Sequence, residues 1–444
     1  MKKQYLIAAL VLLATTALAY GQPLRGSYFF ETSVVRGKMN PAFAPQNNYV
    51  AIPLVGGISL DDASNVGLKN FIYPSGNKAY TFLNEAVSSQ DFLSALPVDD
   101  PFLTERLDID VLSAGFGIGK NGFLSVGLSI VEDAGLTLPT ELLRFAKVGG
   151  SADITGLGLN VGSYGQLSVG YSHDLGDVAE GLHVGGRVKL LAGVIGADMT
   201  LDRINIKTGT DQLSVSTSGT GYLAALKYDE KDGFGMGNAG INGMGVAVDL
   251  GVEYRIKLDG FVNGVNLSAS VCDLGALNFN KNVTTLTASG SASFAGLNGI
   301  DSDYDFSTNL DNVISDFENL ANFKSQSGGS FSYKVTPTVL AGVEAPFLGE
   351  KMSLGLLYWN TRGRSNVMAS YNLSPVRWFN LGLNCTFVGP ALSYGFYAEF
   401  IPKKSVGLFF GMDTASLKTN SKGIAVNNLT QSACFGLNIV FGGK

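Results

Sequence analysis

The sequence predicts an all-β protein, a transmembrane antiparallel β-barrel of about 14 strands with an N-terminal plug containing a short helix, and three observations predict it. The first is alternation. From Trp378 to Phe400, Phe379, Leu381, Leu383, Cys385 and Phe387 alternate with Asn380, Gly382, Asn384 and Thr386. After the turn Val388-Gly389-Pro390, Leu392, Tyr394, Phe396, Ala398 and Phe400 alternate with Ser393, Gly395, Tyr397 and Glu399. Strand side chains switch faces at every residue, so each half has one fatty face and one small, polar face. The second is spacing: strand segments of roughly nine to eleven residues, joined by short turns and long polar loops, suit an apolar band about 25 Å tall. Strands of a soluble sandwich are nearer five or six residues. The third is that no run of 18 or more apolar residues follows the N-terminal leader, which removes helical spans. Backbone groups in lipid must all be paired, and a closed sheet does this without edges.

The bulk numbers agree. The chain has 444 residues, 15% of them charged, with 57 Gly and 13 Pro. That is too apolar for disorder and too glycine-rich for a helical bundle. A net charge of -6 leaves no basic footprint, so nucleic acid is not expected as a partner. Cys272, Cys385 and Cys434 are too far apart for a metal knuckle and odd in number, and read as packing residues.

Lys2 and Lys3, an apolar run from Leu6 to Leu13 and the small-residue end Ala17-Leu18-Ala19 have the order of a cleavable export signal over 1–19. Residues 20–106 read as an N-terminal plug with a first strand, Val50 to Leu60, and an amphipathic helix within Gly76 to Leu96 carrying Ala79, Phe82, Leu83, Ala86 and Val87. Residues 107–444 read as the barrel. Asp108 to Ile118 pairs through Gly119-Lys120-Asn121-Gly122 with Leu124, Val126, Leu128 and Ile130, and Pro139 to Lys147 is a short helix ended by Gly149. Leu157 to Val161 turns back at Ser163-Tyr164-Gly165 into Leu167, Val169 and Tyr171. Gly193 to Ala225 is a long hairpin projecting beyond the sheet, and Asp229 to Gly245 a loop. Val246 to Arg255 is a strand, and Ser289 to Gly329 a second excursion with a helix carrying Leu310, Val313, Ile314, Phe317 and Leu320. Strand candidates number about 14 to 18. Tyr358, Trp359, Trp378, Tyr394 and Phe400, near strand ends, suit interfacial belts.

Chemistry-bearing motifs are few. Gly235-Met236-Gly237-Asn238-Ala239-Gly240 has the letters of a dinucleotide fingerprint but precedes a strand, so no helix N-terminus would receive a phosphate. Asp301, Asp303 and Asp305 begin like a calcium loop, yet Phe306 and Asn312 stand where glycine and glutamate are needed. Only His173 and His183 could serve as imidazole bases, and no serine is paired with either by spacing. No catalytic residue, cofactor or metal is therefore expected. The polar face should form a lumen lining of mixed sign from His183, Arg187, Lys189, Asp249, Glu253, Arg255 and Glu399.

Met39-Asn40-Pro41-Ala42-Phe43-Ala44-Pro45 behind an export signal, with strands from there to the C-terminus, resembles the long-chain fatty-acid transporter superfamily of Gram-negative outer membranes. Together with Thr81-Phe82-Leu83-Asn84, Leu107-Asp108-Ile109-Asp110 and Pro139-Thr140-Glu141-Leu142-Leu143, it resembles more closely a family of uncharacterised barrels related to that superfamily. The resemblance implies a fourteen-stranded outer-membrane barrel whose N-terminal segment folds inside as a hatch, with Asn40, Pro41, Ala42 and Phe43 near the lumen. It implies binding or transport of small hydrophobic molecules, with outer-membrane lipid around the wall. The alternative is a non-transporting barrel whose long excursions hold envelope or secretion proteins. The terminus departs from the usual aromatic end, because Phe441 is followed by Gly442-Gly443-Lys444.

Overall fold

The computed structural model describes residues 25–75, 78–208, 213–229, 233–238, 240–294, 323–388, 391–402, 405–414 and 430–443. The expected export signal, and the helix and acidic triplet expected between 301 and 321, lie outside these residues. Fourteen antiparallel strands close on themselves. The first, β1, comes in two pieces, Asn47–Ala51 and Ile58–Ser64. Both pieces pair with β2 (Phe102–Ile118) on one side and with the last strand on the other, which seals the cylinder.

The wall continues through β3 (Gly122–Thr137), β4 (Leu157–Asp174), β5 (Leu182–Thr208), β6 (Gly243–Lys257) and β7 (Gly264–Phe279). It is completed by β8 (Thr338–Phe347), β9 (Met352–Thr361), β10 (Arg364–Val376), β11 (Phe379–Val388), β12 (Ala391–Phe400), β13 (Val406–Thr414) and β14 (Thr430–Gly443). Each strand is hydrogen-bonded to the next. Short turns such as 119–121 and 348–351 gather at one end, where β1 begins and β14 finishes. The other end carries the long connections 65–101, 138–156 and 280–337. Short turns at one end and long loops at the other are the habit of outer-membrane barrels.

The two faces are those the alternation predicts. Leu383, Phe387, Leu392 and Tyr394 point outward and are 44–55% exposed, while Asn384 and Glu399 point inward at 6% and 3%. The same outward row recurs as Val126, Leu128 and Ile130 on β3 and Leu167, Val169 and Tyr171 on β4. A continuous apolar belt of this size is costly in water and mild in an apolar medium. Adjacent residues cannot share a face, and this corrects one expectation. Tyr358 faces out, but its neighbour Trp359 is 3% exposed and lies inside, under the Arg25 guanidinium at 4.4 Å from the ring centroid.

Three further expectations change. Ser163-Tyr164-Gly165 runs straight through β4, opposite a β-bulge at Val194 of β5, and is not a turn. β4 keeps its parity, so Tyr164 is buried on the face of Gln166 and Ser172, while Leu157 and Val161 on the other face pack with Leu201 and Ile204 of the raised sheet. The pattern over Gly76 to Leu96 becomes a hairpin, Ile72–Ser75 with Lys78–Thr81, followed by a helix only over Ser89–Ala95. Asn84 ends the helical reading early: its carboxamide oxygen accepts from the Ala86 amide, and Ser88 then caps the shorter helix. That helix shares a core of Val87, Phe92 and Leu143 with the helix Thr140–Val148, which Gly149 ends at φ 72°. The loop expected over Asp229 to Gly245 starts within a hairpin, Leu226–Asp229 with Gly233–Met236, and ends within β6. A boundary at 106/107 would cut through β2.

Strands outrun the expected length because the sheet continues beyond the cylinder. β5 runs for 27 residues; its first half pairs with β6 and its second half with Leu213–Ala224. This projecting hairpin pairs in turn with Val283–Phe294, and that strand with Phe323–Ser327. Ile154, Leu201, Ile204, Ile206 and Leu286 form the core of this raised sheet.

Candidate functional site: the plugged lumen

The interior is occupied by residues 25–46, the N-terminal plug. The segment cannot be a strand, since Pro41 and Pro45 lack amide donors and Asn40 turns the chain. It contains two single-turn 3-10 helices, Arg25–Ser27 and Arg36–Lys38. Asn40 folds back on itself, its Oδ1 accepting from the Ala42 amide at 3.0 Å and its carbonyl from the Phe43 amide at 3.0 Å. Asn40, Pro41, Ala42 and Phe43 are all buried. Tyr28, Phe29, Met39 and Phe43 pack on Leu340, Leu357, Trp359 and Met368 of the wall.

The wall is recessed for this turn. A Cβ at Gly185 would lie 2.0 Å from the Pro41 carbonyl oxygen, and one at Gly251 would lie 1.9 Å from Asn40 Oδ1. Asn40 Nδ2 donates to the carbonyls of Val252 at 3.1 Å and Ala269 at 3.3 Å, two residues directly paired across β6 and β7. Tyr28 shares a 3.0 Å hydrogen bond with Ser268, and burial pushes its phenol up to about 12. The outer surface of the same wall carries an apolar depression of about 470 Å³ over Ala269 and Ala341, walled by Val252, Leu267, Val343 and Leu356.

Charge holds the remainder of the plug. Arg25 donates to Asp61 at 3.0 Å, and the backbone amides of Arg25 and Gly26 donate to the Asp413 carboxylate. Thr32 and Asn380 both donate to Glu399, Asn380 at 2.8 Å. Arg36 reaches Glu253 at 3.3 Å and lies 3.8 Å from the Phe43 ring centroid. Glu31 receives Arg255 at 2.5 Å. Burial alone would raise the Glu31 carboxyl, but Arg255 and Arg36 bring it below its ordinary range. Lys38 bridges Asp108 at 3.2 Å and Asp110 at 2.7 Å. Burial would lower the Lys38 ammonium, and the two carboxylates more than offset it, so its proton is held above the usual lysine range.

The expected lumen residues do face inward, in three groups. Arg187, Lys189 and Asp249 meet, with Lys189 2.8 Å from Asp249 and Arg187 3.5 Å from it. They extend to Asp273, which accepts from Lys189 at 2.6 Å and from Arg106 at 2.9 Å. Glu253 and Arg255 pair at 2.9 Å beside the plug, with His183 opposite Glu253 on β5. Glu399 stands apart on β12 and meets Thr32 of the plug and Asn380 of β11 through the bonds above. His173 lies at the end of β4, its Nδ1 2.9 Å from the Tyr171 hydroxyl. Sequence reasoning passed over Arg25, Arg36 and Lys38 because their segment has no periodicity, and over Asp108, Asp110 and Asp273 as lining. The Asp108-Ile109-Asp110 spacing does place two carboxylates on one strand face, and that was the available signal.

Between plug and wall lies a cavity of about 90 Å³, lined among others by Lys38, Asp108, Asp110, Gln166, Lys189 and Asn438. It has room for a few waters only. Above it, toward the long-loop ends of the strands, Tyr164, Leu277, Phe279, Phe331 and Tyr333 pack together. Among the described residues no group of three His, Cys, Asp or Glu side chains is placed to hold a metal, and no helix is long and apolar enough to cross a membrane.

A family model described as "Family of unknown function (DUF5723)" matches residues 41–413. The chain belongs to this family. The DUF5723 match begins at Pro41, within the plug turn, and ends at Asp413, the carboxylate that receives Arg25 and Gly26. No curated protein sequence matches the chain. Among solved structures, the chain is similar to the P. putida toluene transporter TodX at 10% identity and TM-score 0.42, over 93% of this chain and 94% of that one. It is also similar to a Pseudomonas aeruginosa FadL homologue at 10% identity and TM-score 0.42, over 95% and 97%. A third is the translocator domain of the Neisseria meningitidis autotransporter NalP, at 10% identity and TM-score 0.34, over 90% of each chain.

Proposed function

We propose that this chain is an outer-membrane barrel that binds or passes small hydrophobic molecules, with the segment 25–46 as its movable hatch. The observation that carries the reading is the position of Asn40. Its amide bonds to the Val252 and Ala269 carbonyls directly behind the apolar depression of the outer wall. The wall there is one strand thick, so plug, wall and the apolar medium outside meet at one place. A shift of Asn40 and Tyr28 would free two wall carbonyls and the Ser268 hydroxyl and let a greasy molecule pass between lumen and bilayer. Asn40, Pro41, Ala42 and Phe43 are then hatch residues, and Arg187, Lys189, Asp249, Glu253, Arg255, Glu399 and His183 the polar lining it rests on. The experiment is uptake of a radiolabelled alkylbenzene by proteoliposomes holding the intact barrel or one lacking residues 25–46. Removal of the hatch should raise uptake about tenfold; equal uptake would refute the reading.

The filled interior favours a second reading. Ligand pockets commonly measure about 300–1,000 Å³, and the plugged cavity is about 90 Å³. On this reading the raised sheet of Leu213–Ala224 and Val283–Phe294 is the working surface, holding another envelope or secretion component. Crosslinking from the hairpin Gly193 to Ala225 in whole cells would capture that component, and hatch removal would leave uptake unchanged.

A further inference from the structure

The plug describes the ligand that its cradle accepts. Among the described residues, the charged wall groups that pair or hydrogen-bond with it here are Asp61, Asp108, Asp110, Glu253, Glu399 and Asp413, against the cation Arg255, with the Arg187 guanidinium also close to Gly37 but paired with Asp249. Beside these acids stand Leu340, Leu357, Trp359 and Met368, which hold the plug's aromatic rings. The cradle is therefore acidic and apolar together. One plug guanidinium answers both properties, Arg25 over Trp359 and beside Asp61, while Arg36 lies beside Glu253 and over the plug's own Phe43.

The small cavity next to Lys38 shows the same preference. Gln166 and Asn438, 7% and 1% exposed, line it with Gln166 Oε1 and both Asn438 amide atoms lacking a hydrogen-bond partner. The wall cations around it are already paired, Arg106 with Asp273, Lys189 with Asp249 and Asp273, Arg187 with Asp249. Asp108 depends on Lys38 for its ion pair, and Asp110 on Lys38 with the Ser129 hydroxyl at 3.0 Å. Displacing the plug thus removes the one ammonium that these two carboxylates share. A neutral hydrocarbon in its place leaves buried carboxylates uncompensated, and an anion adds to them. A cation restores the balance and gives the idle amide oxygens of Gln166 and Asn438 a donor.

We propose that the lumen is a receptor for hydrophobic cations, an aromatic or aliphatic body bearing an ammonium or guanidinium, and that the plug occupies it by imitating such a ligand. This rests on the hatch reading above and narrows its substrate class. Trp359 reports on the site directly, because the chain has 2 Trp and the other, Trp378, is 53% exposed outside. The test titrates full-length Trp378→Phe protein in detergent with 2-phenylethylammonium, phenylacetate and ethylbenzene, following Trp359 fluorescence. The amine should bind saturably and about tenfold more tightly than phenylacetate. Lys38→Met should strengthen amine binding, because the plug then competes less well. The Asp108→Asn, Asp110→Asn double variant, with the plug intact, should bring amine and phenylacetate within about twofold of each other. Ethylbenzene binding as tightly as the amine would overturn the cation preference while leaving the hatch reading in place. Tighter binding of phenylacetate, or an amine preference that survives the double variant, would also overturn it. Silence of all three probes with both Trp378→Phe protein and its Lys38→Met derivative would remove this inference and the hatch reading together.

Discussion

Toward the long-loop end the interior is filled by wall side chains, Tyr164, Leu277 and Phe279, with Phe331 and Tyr333 of the short strand Phe331–Lys334 that the connection 280–337 adds to β7, whereas toward the short-turn end it is filled by the N-terminal segment. The first filling is mostly apolar and comes from cylinder strands and from a short strand hydrogen-bonded to β7. Its one carboxylate hub, Asp133, accepts from Tyr333 at 3.0 Å, Thr336 at 2.7 Å and Arg362 at 2.5 Å. The second filling packs some rings on the wall but adds to them directional hydrogen bonds and ion pairs at discrete points. Apolar packing that belongs to the wall cannot leave without unfolding the barrel. Polar bonds to a separate segment can be exchanged for bonds to water or to a ligand.

The comparison predicts that damage to the two regions separates into loss of fold and loss of plug. Asp133→Ala should have the largest effect, because it leaves the mostly buried Arg362 guanidinium without its carboxylate, a loss of about 3–5 kcal/mol. Heat-modifiable gel migration would show it as a large drop in the temperature at which the folded band disappears. Phe279→Ala should follow at about 3 kcal/mol, since its buried ring stacks on Phe331 at 5.0 Å and no other side chain can fill the space. A wall-core variant that melts like the parent would show that the barrel does not depend on this filling.

Lys38→Met should behave differently. Protease cleavage after Arg25 and Arg36 should rise about tenfold while the barrel's own melting changes little. The two readouts moving together would end the distinction between plug and wall. The pH dependence sharpens it further. The Lys38 proton is held above the usual lysine range, so its contribution to plug seating is complete below the unfolded pKa near 10.4 and is lost only as pH rises through the still higher folded value. Plug protection should therefore stay constant from pH 7 to about 10 and fall in stronger alkali. Release between pH 7 and 9 would contradict the Lys38 ion pairs.

Much of the wall was legible because a closed sheet enforces a period of two on each strand. Phe379 to Phe387 and Leu392 to Phe400 declare their faces without any tertiary knowledge. The reading failed where a local backbone event interrupts that period. Ser163-Tyr164-Gly165, opposite the bulge at Val194 of β5, looked like a turn, and Asn84 cut a helical pattern that seemed to reach Leu96. Long pairs were invisible for another reason. Lys38 meets Asp108 and Asp110 about 70 residues away, and Arg25 meets Asp413 across almost the whole chain. Nothing local marks such partners, because cylinder closure alone brings them together. Lys189, Asp249 and Arg187 were found because each alternates onto the polar face of a regular strand, while Asp273 hid behind the bulge that turns it inward at φ 62°.

The smallest effect should come from the ion pair that most resembles those of the plug on paper. Arg203 makes a two-pronged contact with Asp153, Nε to Oδ1 at 2.6 Å, on the raised sheet above the cylinder. Both side chains are about half exposed, so water and salt screen the pair and its geometry adds little. Arg203→Ala should leave both the melting of the folded band and plug protection unchanged. A measurable loss in either would mean that the raised sheet is coupled to the cylinder, and that the separation between wall-borne and plug-borne filling extends to a third, outer region. The contrast with Lys38 is then one of setting. The same pair of charges fixes a segment inside the enclosure and does nothing measurable outside it.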